Sequence, residues 1–309
     1  MTLLRRLGTP LAVLLVVLGF ALALPETFLS SRNLLNVTQQ VSMLAVVAFA
    51  MTAVMAAGDF DLSVGSTASL AGVAAAVLMA AGAPVWAGVG AGLLAGLLVG
   101  LLNGALVAYA GILPFVATLG TLTVVSGAAF LVSDGRTVFG PSIPESFGAF
   151  ARASALGVPA LTWVAALAFL LAWLLLDHTS AGRRLYAIGG NREAARLAGV
   201  PVRRLRLLAF LVTGLGAATA GLMLASRVAS ANPTQGAGLM LDAIAAVFLG
   251  MTASEEGEPT AAGTLLGVLL LAVLDNGLTQ LAVDSYLRDV LVGAIILLAV
   301  GVSRLGRRD

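Results

Sequence analysis

The stretch Val85-Trp-Ala-Gly88-Val-Gly90-Ala-Gly92-Leu-Leu-Ala-Gly96-Leu-Leu-Val-Gly100-Leu-Leu-Asn103-Gly104-Ala-Leu-Val-Ala-Tyr109 contains no charged side chain. It is longer than the roughly 20 apolar residues that a helix needs to cross a bilayer core. Within it glycine recurs as Gly92-x-x-x-Gly96-x-x-x-Gly100-x-x-x-Gly104. Small residues at that spacing let helices approach closely in lipid, so the stripe reads as a packing surface rather than a ligand site.

The flanking sequence has the same character. Apolar runs recur at about 7–24, 37–57, 62–82, 114–133, 159–176, 207–225, 239–250, 261–282 and 286–303, which with 85–109 makes about ten spans. The run at 239–250 is too short to cross alone and reads as a tilted, broken or re-entrant helix, tolerated only against protein or water. The N-terminal run, after Arg5 and Arg6, also fits a cleavable signal peptide, but its length and an equally apolar remainder favour an uncleaved first helix. No soluble domain of useful size is visible. The expectation is an all-α, polytopic transmembrane helical bundle forming a single domain over residues 1–309.

Composition agrees. Of 309 residues, 60% are hydrophobic and 10% charged, against about 45–50% and 25% in soluble domains. A mean hydropathy of +1.04 over this length cannot be hidden in one globular core, which stops growing near roughly 250–300 residues. All 17 basic residues are Arg. Without Lys there is no P-loop of the G-x-x-x-x-G-K-[ST] type and no Schiff-base lysine. With no Cys and one His, thiol nucleophiles, disulfides, Cys/His zinc sites and H-E-x-x-H chemistry are excluded. The arginines are scattered, so positive loops of a membrane protein explain the pI of about 9.7 better than nucleic-acid binding does.

Arginine placement predicts sidedness. Arg5 and Arg6 lie at the start, Arg304, Arg307 and Arg308 at the end, and Arg183, Arg184, Arg192, Arg196, Arg203, Arg204 and Arg206 in a loop at about 177–206. By the positive-inside rule both termini and this loop face the cytoplasm, with six spans before the loop and four after. The polar stretch from Ser133 to Gly157 is then external.

The loop contains Gly189-Gly190-Asn191-Arg192-Glu193-Ala194-Ala195-Arg196-Leu197-Ala198-Gly199-Val200-Pro201, punctuated as a helix of about two turns. Asn191 is a candidate N-cap, Glu193 puts negative charge in the first turn, Gly199 suits the left-handed position after the last turn, and Pro201 prevents continuation. Ala194, Ala195 and Ala198 leave a thin body that another protein can approach, while Glu193 and Arg196 offer charge. The rival is an interfacial helix held by Arg on lipid phosphates.

Gly58-Asp59-Phe60-Asp61-Leu62-Ser63-Val64-Gly65-Ser66 joins two apolar runs. Asp61 with Ser63 can cap the following helix. Carboxylates at a membrane boundary are also functional candidates, able to bind sugar hydroxyls, carry protons or latch a gate, so Asp59 and Asp61, with Ser63, are placed on the pathway or gate. Asn103, Phe115, Thr118, Asp275 and Asn276 lie near helix ends, where polar groups facing the interior can line a route for a hydroxylated solute. Interhelical hydrogen bonding is their rival. His178 reads as incidental, and Arg227 as an interfacial anchor or a partner contact on the outer face.

Taken in order, several stretches resemble the permease subunits of bacterial ABC importers for monosaccharides, the ribose, xylose and galactose group. They are Asp61-Leu-Ser-Val-Gly65-Ser66, Leu102-Asn103-Gly104, Pro114-Phe115-Val-Ala-Thr118-Leu-Gly120-Thr121, Gly182-Arg183-Arg184-Leu-Tyr186-Ala-Ile-Gly189-Gly190-Asn191, Glu193-Ala-Ala195-Arg-Leu-Ala-Gly199 and Leu241-Asp242-Ala243-Ile244-Ala245-Ala246. The resemblance covers nearly the whole chain. It implies a permease similar to the vitamin B12 importer class, in the bacterial cytoplasmic (inner) membrane. It further implies pairing with a second permease copy or paralogue, a cytoplasmic ABC ATPase carrying ATP and Mg, and an external sugar-binding protein. Residues 193–199 would be the coupling helix on the ATPase, and Asp242 joins the pathway residues. The permease itself would be no enzyme and hold no cofactor.

Two departures stand out. The family's glycine-rich Gly-Gly-Thr-Ser-Leu-Ser-Gly-Gly-x-Gly run is replaced by Gly250-Met251-Thr252-Ala253-Ser254-Glu255-Glu256-Gly257-Glu258-Pro259, and its Tyr-Glu-Leu-Asp by Leu239-Met240-Leu241-Asp242. The acidic turn is expected on the cytoplasmic side, as a solvated turn or as a partner for Arg of the coupling loop. Two other classes compete: a proton-coupled secondary carrier using Asp59, Asp61 or Asp242, which needs no ATPase, and an intramembrane enzyme, for which a lone His and no Cys leave almost no catalytic groups.

Overall fold

The computed structural model describes residues 2–294 apart from 141–142, 255, 285, 288–289 and 292. Glu255 and most of the span expected at 286–303 therefore lie outside the described residues, as do Arg304, Arg307 and Arg308.

Twelve helices form the described chain: α1 Thr2–Ala23, α2 Ser31–Ala56, α3 Val64–Ala80, α4 Val85–Ala108, α5 Pro114–Ser133, α6 Glu145–Arg152, α7 Ala160–His178, α8 Ser180–Gly190, α9 Arg192–Leu197, α10 Val202–Val228, α11 Leu239–Met251 and α12 Ala261–Gln280. Among the described residues, α2, α4, α5, α7, α10 and α12 are long and apolar enough to cross a membrane, while Pro10–Ala23, α3 and α11 are apolar but shorter. Two ribbons of two-residue strands pair Val138–Phe139 with Ser230–Ala231 and Ser154–Ala155 with Val158–Pro159. They tie loops and leave the class all-α. The chain is a polytopic helical membrane protein.

Helix limits follow local chemistry. Ser30 accepts from the Asn33 amide at the start of α2, Thr179 from Gly182 at the start of α8, and Thr260 from Gly263 at the start of α12, each satisfying an otherwise orphaned N–H. Pro114 opens α5, where its missing donor is not needed.

At the centre, α10 packs on α2, α3 and α4. The glycine stripe of α4 makes this possible: Gly88 and Gly92 face α3 at Ala75 and Ala71, while Gly96, Gly100 and Gly104 face α10 at Gly214, Phe210 and Leu207. A Cβ on Gly100 would lie 2.5 Å from the Phe210 carbonyl oxygen, so backbone meets backbone. Gly221 of α10 similarly meets Ala68 of α3, and Gly250 of α11 meets Gly263 of α12. In lipid, where apolar side chains gain little by leaving their surroundings, such close packing holds helices together.

The bundle has two chemically distinct ends. Along α10, Arg206 and Ser226 are separated by about 30 Å at 1.5 Å per residue. Arg206 meets the turn after α2, whereas the Ser226 hydroxyl donates to the Phe147 carbonyl of α6. The Arg-rich loop and the 133–157 segment therefore lie at opposite ends, as expected from their charge.

Candidate functional site

The Arg-rich loop folds into two short helices. Asn191 accepts from the Ala194 amide at 2.9 Å and caps α9. Gly199, at φ +80°, ends it in the left-handed region, so the helix is six residues long, slightly shorter than expected. Glu193 and Arg196 are exposed and paired, the Arg196 Nε donating to Glu193 at 3.0 Å. That bond holds the Glu193 carboxyl below its usual range. Ala195 is buried while Ala194 is exposed, as are Arg192 and Leu197, so α9 rests on the bundle with one face and offers the other.

α8 anchors this loop. Gly189 packs backbone to backbone against Ala56 and Gly58, and the Tyr186 hydroxyl donates to the Pro259 carbonyl at 2.9 Å. The acidic turn is thus at the same end as the Arg-rich loop, where its Pro259 carbonyl meets Tyr186. Burial, followed by the nearby charges of Asp177 and Glu258, raises the Tyr186 pKa. Burial and then Glu256 push the Glu258 carboxyl upward as well.

Asp59 has zero exposure, yet its carboxylate accepts from Arg206 Nε at 2.6 Å, Arg206 Nη2 at 2.8 Å and Arg192 Nη2 at 2.9 Å. Arg206 is itself buried and also donates to the Val107 carbonyl at 3.2 Å. A forked guanidinium matched to both carboxylate oxygens is the strong, orientation-specific form of this bond. Arg206 was legible only as loop charge, and nothing in its spacing from Asp59 announces the pairing.

Asp61, Ser63 and Asn103 form a separate buried cluster. Asp61 Oδ1 accepts from the Ser63 amide at 2.9 Å, the Ser63 hydroxyl at 2.6 Å and Asn103 Nδ2 at 3.2 Å, and Asn103 Nδ2 also reaches Ser63 Oγ at 2.8 Å. Asp61 fixes the turn into α3 by accepting from the residue that precedes that helix. Among the described residues, Asn103 Oδ1 is the buried side-chain atom without a hydrogen-bond partner.

A cavity of about 960 Å³ opens between α2, α10, α11 and α12, with Gln40, Asp242, Asp275, Asn276 and Arg227 in an otherwise apolar lining. Asp242 and Asn276 thus line one cavity, together with Asp275. Gln40, absent from the sequence-derived candidates, donates to Asp275 Oδ2 at 3.0 Å. A glutamine near the start of the apolar run at 37–57 is the available signal. Asn276 exchanges two amide bonds with Asn33 and accepts from Gln280. Phe115 and Thr118 are not part of this cavity: Phe115 is exposed, and the Thr118 hydroxyl donates to Pro114 of its own helix. His178 lies tilted against Trp173, with ring centroids 4.1 Å apart.

A helical membrane bundle with a largely apolar cavity carrying a few polar groups, and a short capped helix displayed at one end, is an arrangement suited to a transport subunit. Residues 33–300 match the family described as branched-chain amino acid transport system / permease component, and the chain belongs to it. Over 300 residues it is 40% identical to the ribose import permease protein of Bacillus subtilis, covering 97% of this chain and 93% of that one. The ribose import permease protein of Escherichia coli K12 is 38% identical over 293 residues, covering 94% and 91%. The L-arabinose transport system permease protein of the same strain is 38% identical over 273 residues, covering 88% and 83%. No solved structure gives a match.

Proposed function

We propose that this chain is the membrane-spanning permease of an ATP-driven ABC importer that moves a monosaccharide, a pentose in the first instance, inward by alternating access. The observation that carries this reading is identity of 36–40% over nearly the whole chain with permeases named for ribose and arabinose. The cavity supports it. At about 960 Å³ it is within the size range of small-molecule sites, roughly 300–1,000 Å³, and amides beside carboxylates suit a solute that both donates and accepts through hydroxyls.

In this reading the face of α9 presented by Glu193, Ala194 and Arg196, with the Gly199 turn that ends it, docks on a cytoplasmic ATPase, which supplies ATP and Mg. The end bearing α6 receives the sugar from an external binding protein. A second copy or a paralogue completes the pathway. Ten crossings follow from the six long helices, the shorter α1, α3 and α11, and the segment at 286–303, similar to the vitamin B12 importer class. Two short members are acceptable because α3 and α11 are largely covered by other helices. Both termini and the Arg-rich loop then face the cytoplasm of a bacterial inner membrane. The proton-carrier alternative loses Asp59 as a free site, since that carboxylate is engaged by Arg192 and Arg206.

The test is gentle purification of the tagged chain from its native membranes, with mass spectrometry of what accompanies it, repeated with residues 193–199 scrambled. An ABC ATPase present with the native loop and lost with the scrambled one supports the reading. A folded chain that brings no ATPase under conditions preserving other importers sinks it.

A further inference from the structure

Four consecutive residues join the displayed loop to the wall of the cavity. Gly58, at φ +74°, lies against the Gly189 backbone. Asp59 holds Arg192, the first residue of α9, and Arg206, near the start of α10. Phe60 packs on Phe248 with ring centroids 6.0 Å apart, and Phe248 lines the cavity. Asp61 closes the segment by fixing α3 to α4 through Ser63 and Asn103.

Phe248 belongs to the end of the cavity nearer the Arg-rich loop. It is three residues before Met251, and Gly250, two residues further on, meets Gly263 at the start of α12, close to the Pro259 carbonyl that Tyr186 holds. Asn276 and Gly238 line the other end.

We propose that Asp59 is a positioning residue for transport. Through Arg192 it follows the motion of α9 while Arg206 holds it to α10, and through the adjoining Phe60 it moves Phe248, opening or closing the cavity at the loop end. The inference rests on the reading of α9 as the ATPase-docking helix. Its physical basis is asymmetry within the joint. The Arg206 pair is buried and forked, so it resists separation, while Arg192 retains 47% side-chain exposure and can be exchanged at lower cost. Phe60 and Phe248, by contrast, meet through an aromatic ring contact, which has no fixed hydrogen-bond geometry and can slide.

The chain contains no cysteine, so the motion can be read by cross-linking. Phe60→Cys with Phe248→Cys is assembled with the ATPase in vesicles and treated with a short thiol-specific cross-linker. The expected yield is high without nucleotide and falls about tenfold with a non-hydrolysable ATP analogue, a change within the usual range of coupling between sites. Adding Arg192→Gln should make that yield independent of nucleotide and lower pentose uptake about tenfold while the ATPase still co-purifies. Asp59→Asn serves as a second variant, with the same expectation where it folds.

A yield unchanged by nucleotide in the double-cysteine chain overturns the joint while leaving docking intact. So does nucleotide-sensitive cross-linking with normal uptake in the Arg192→Gln background. Absence of the ATPase from the unaltered chain instead removes the docking reading, and this inference with it.

Discussion

Asn33 and Asn276 hold each other through two reciprocal amide hydrogen bonds, of 2.9 and 3.0 Å, across the interface of α2 and α12. The same Asn276 lines the cavity, so one residue both fastens two helices and forms part of the cavity wall.

Removing either half of that pair leaves the other amide short of a partner. Asn33→Ala should lower the stability of the purified chain by about 1 kcal/mol, and Asn276→Ala by a similar amount. Thermal unfolding in detergent checks this. If Asn276 also contacts the solute, only its variant raises the half-saturating sugar concentration.

Gln40 and Asp242 offer the cleaner binding test. Gln40→Ala and Asp242→Asn should each raise the pentose concentration for half-maximal uptake by about threefold to tenfold, the loss expected for a hydrogen bond to a bound solute. Initial uptake rates across a concentration series decide it, and unchanged values would remove this cavity from the pathway.

The contact between Gly100 and Phe210 leaves no room for a side chain. Gly100→Leu should cost about 3 kcal/mol or prevent assembly altogether, since overpacking forces helices apart. Gly90 has open space around its Cβ position, so Gly90→Ala should be close to neutral. The matched pair, compared by folded yield and thermal midpoint, separates packing from the general effect of losing glycine.

Gly199 ends α9 at φ +80° with open space around it. Gly199→Val is therefore strained by backbone conformation rather than by crowding, at a cost of about 1–2 kcal/mol. The expected result is lost ATP-driven uptake with membrane insertion intact, measured by fractionation beside transport.

The central ion pair yields a stability prediction with a clear sign. Arg206→Leu leaves the Asp59 carboxylate buried with Arg192 as its remaining partner, and should destabilise by about 3–5 kcal/mol. Replacing Asp59 and Arg206 together with residues of matched volume should recover much of that loss in unfolding midpoint. On the proposed joint, it should not recover uptake.

Long apolar runs, glycine at four-residue intervals, the capped helix around Asn191 and the clustering of Arg were all legible in the sequence. These depend on neighbours along the chain: hydrophobic length, small-residue spacing, cap chemistry and local charge. The separation of the Arg-rich loop from the 133–157 segment followed for the same reason. Asp59 and Asp61 show where that ended. Two residues apart, they looked alike, yet one is locked by arginines 133 and 147 residues further on and the other by the adjacent Ser63 and by Asn103. The union of Gln40 with Asp275 across 235 residues, the alignment of Phe60 with Phe248 and the position of Thr118 away from the cavity were likewise decided only when helices packed. In a bundle, a polar side chain's partner is fixed by helix rotation and crossing, which chain-local spacing does not encode.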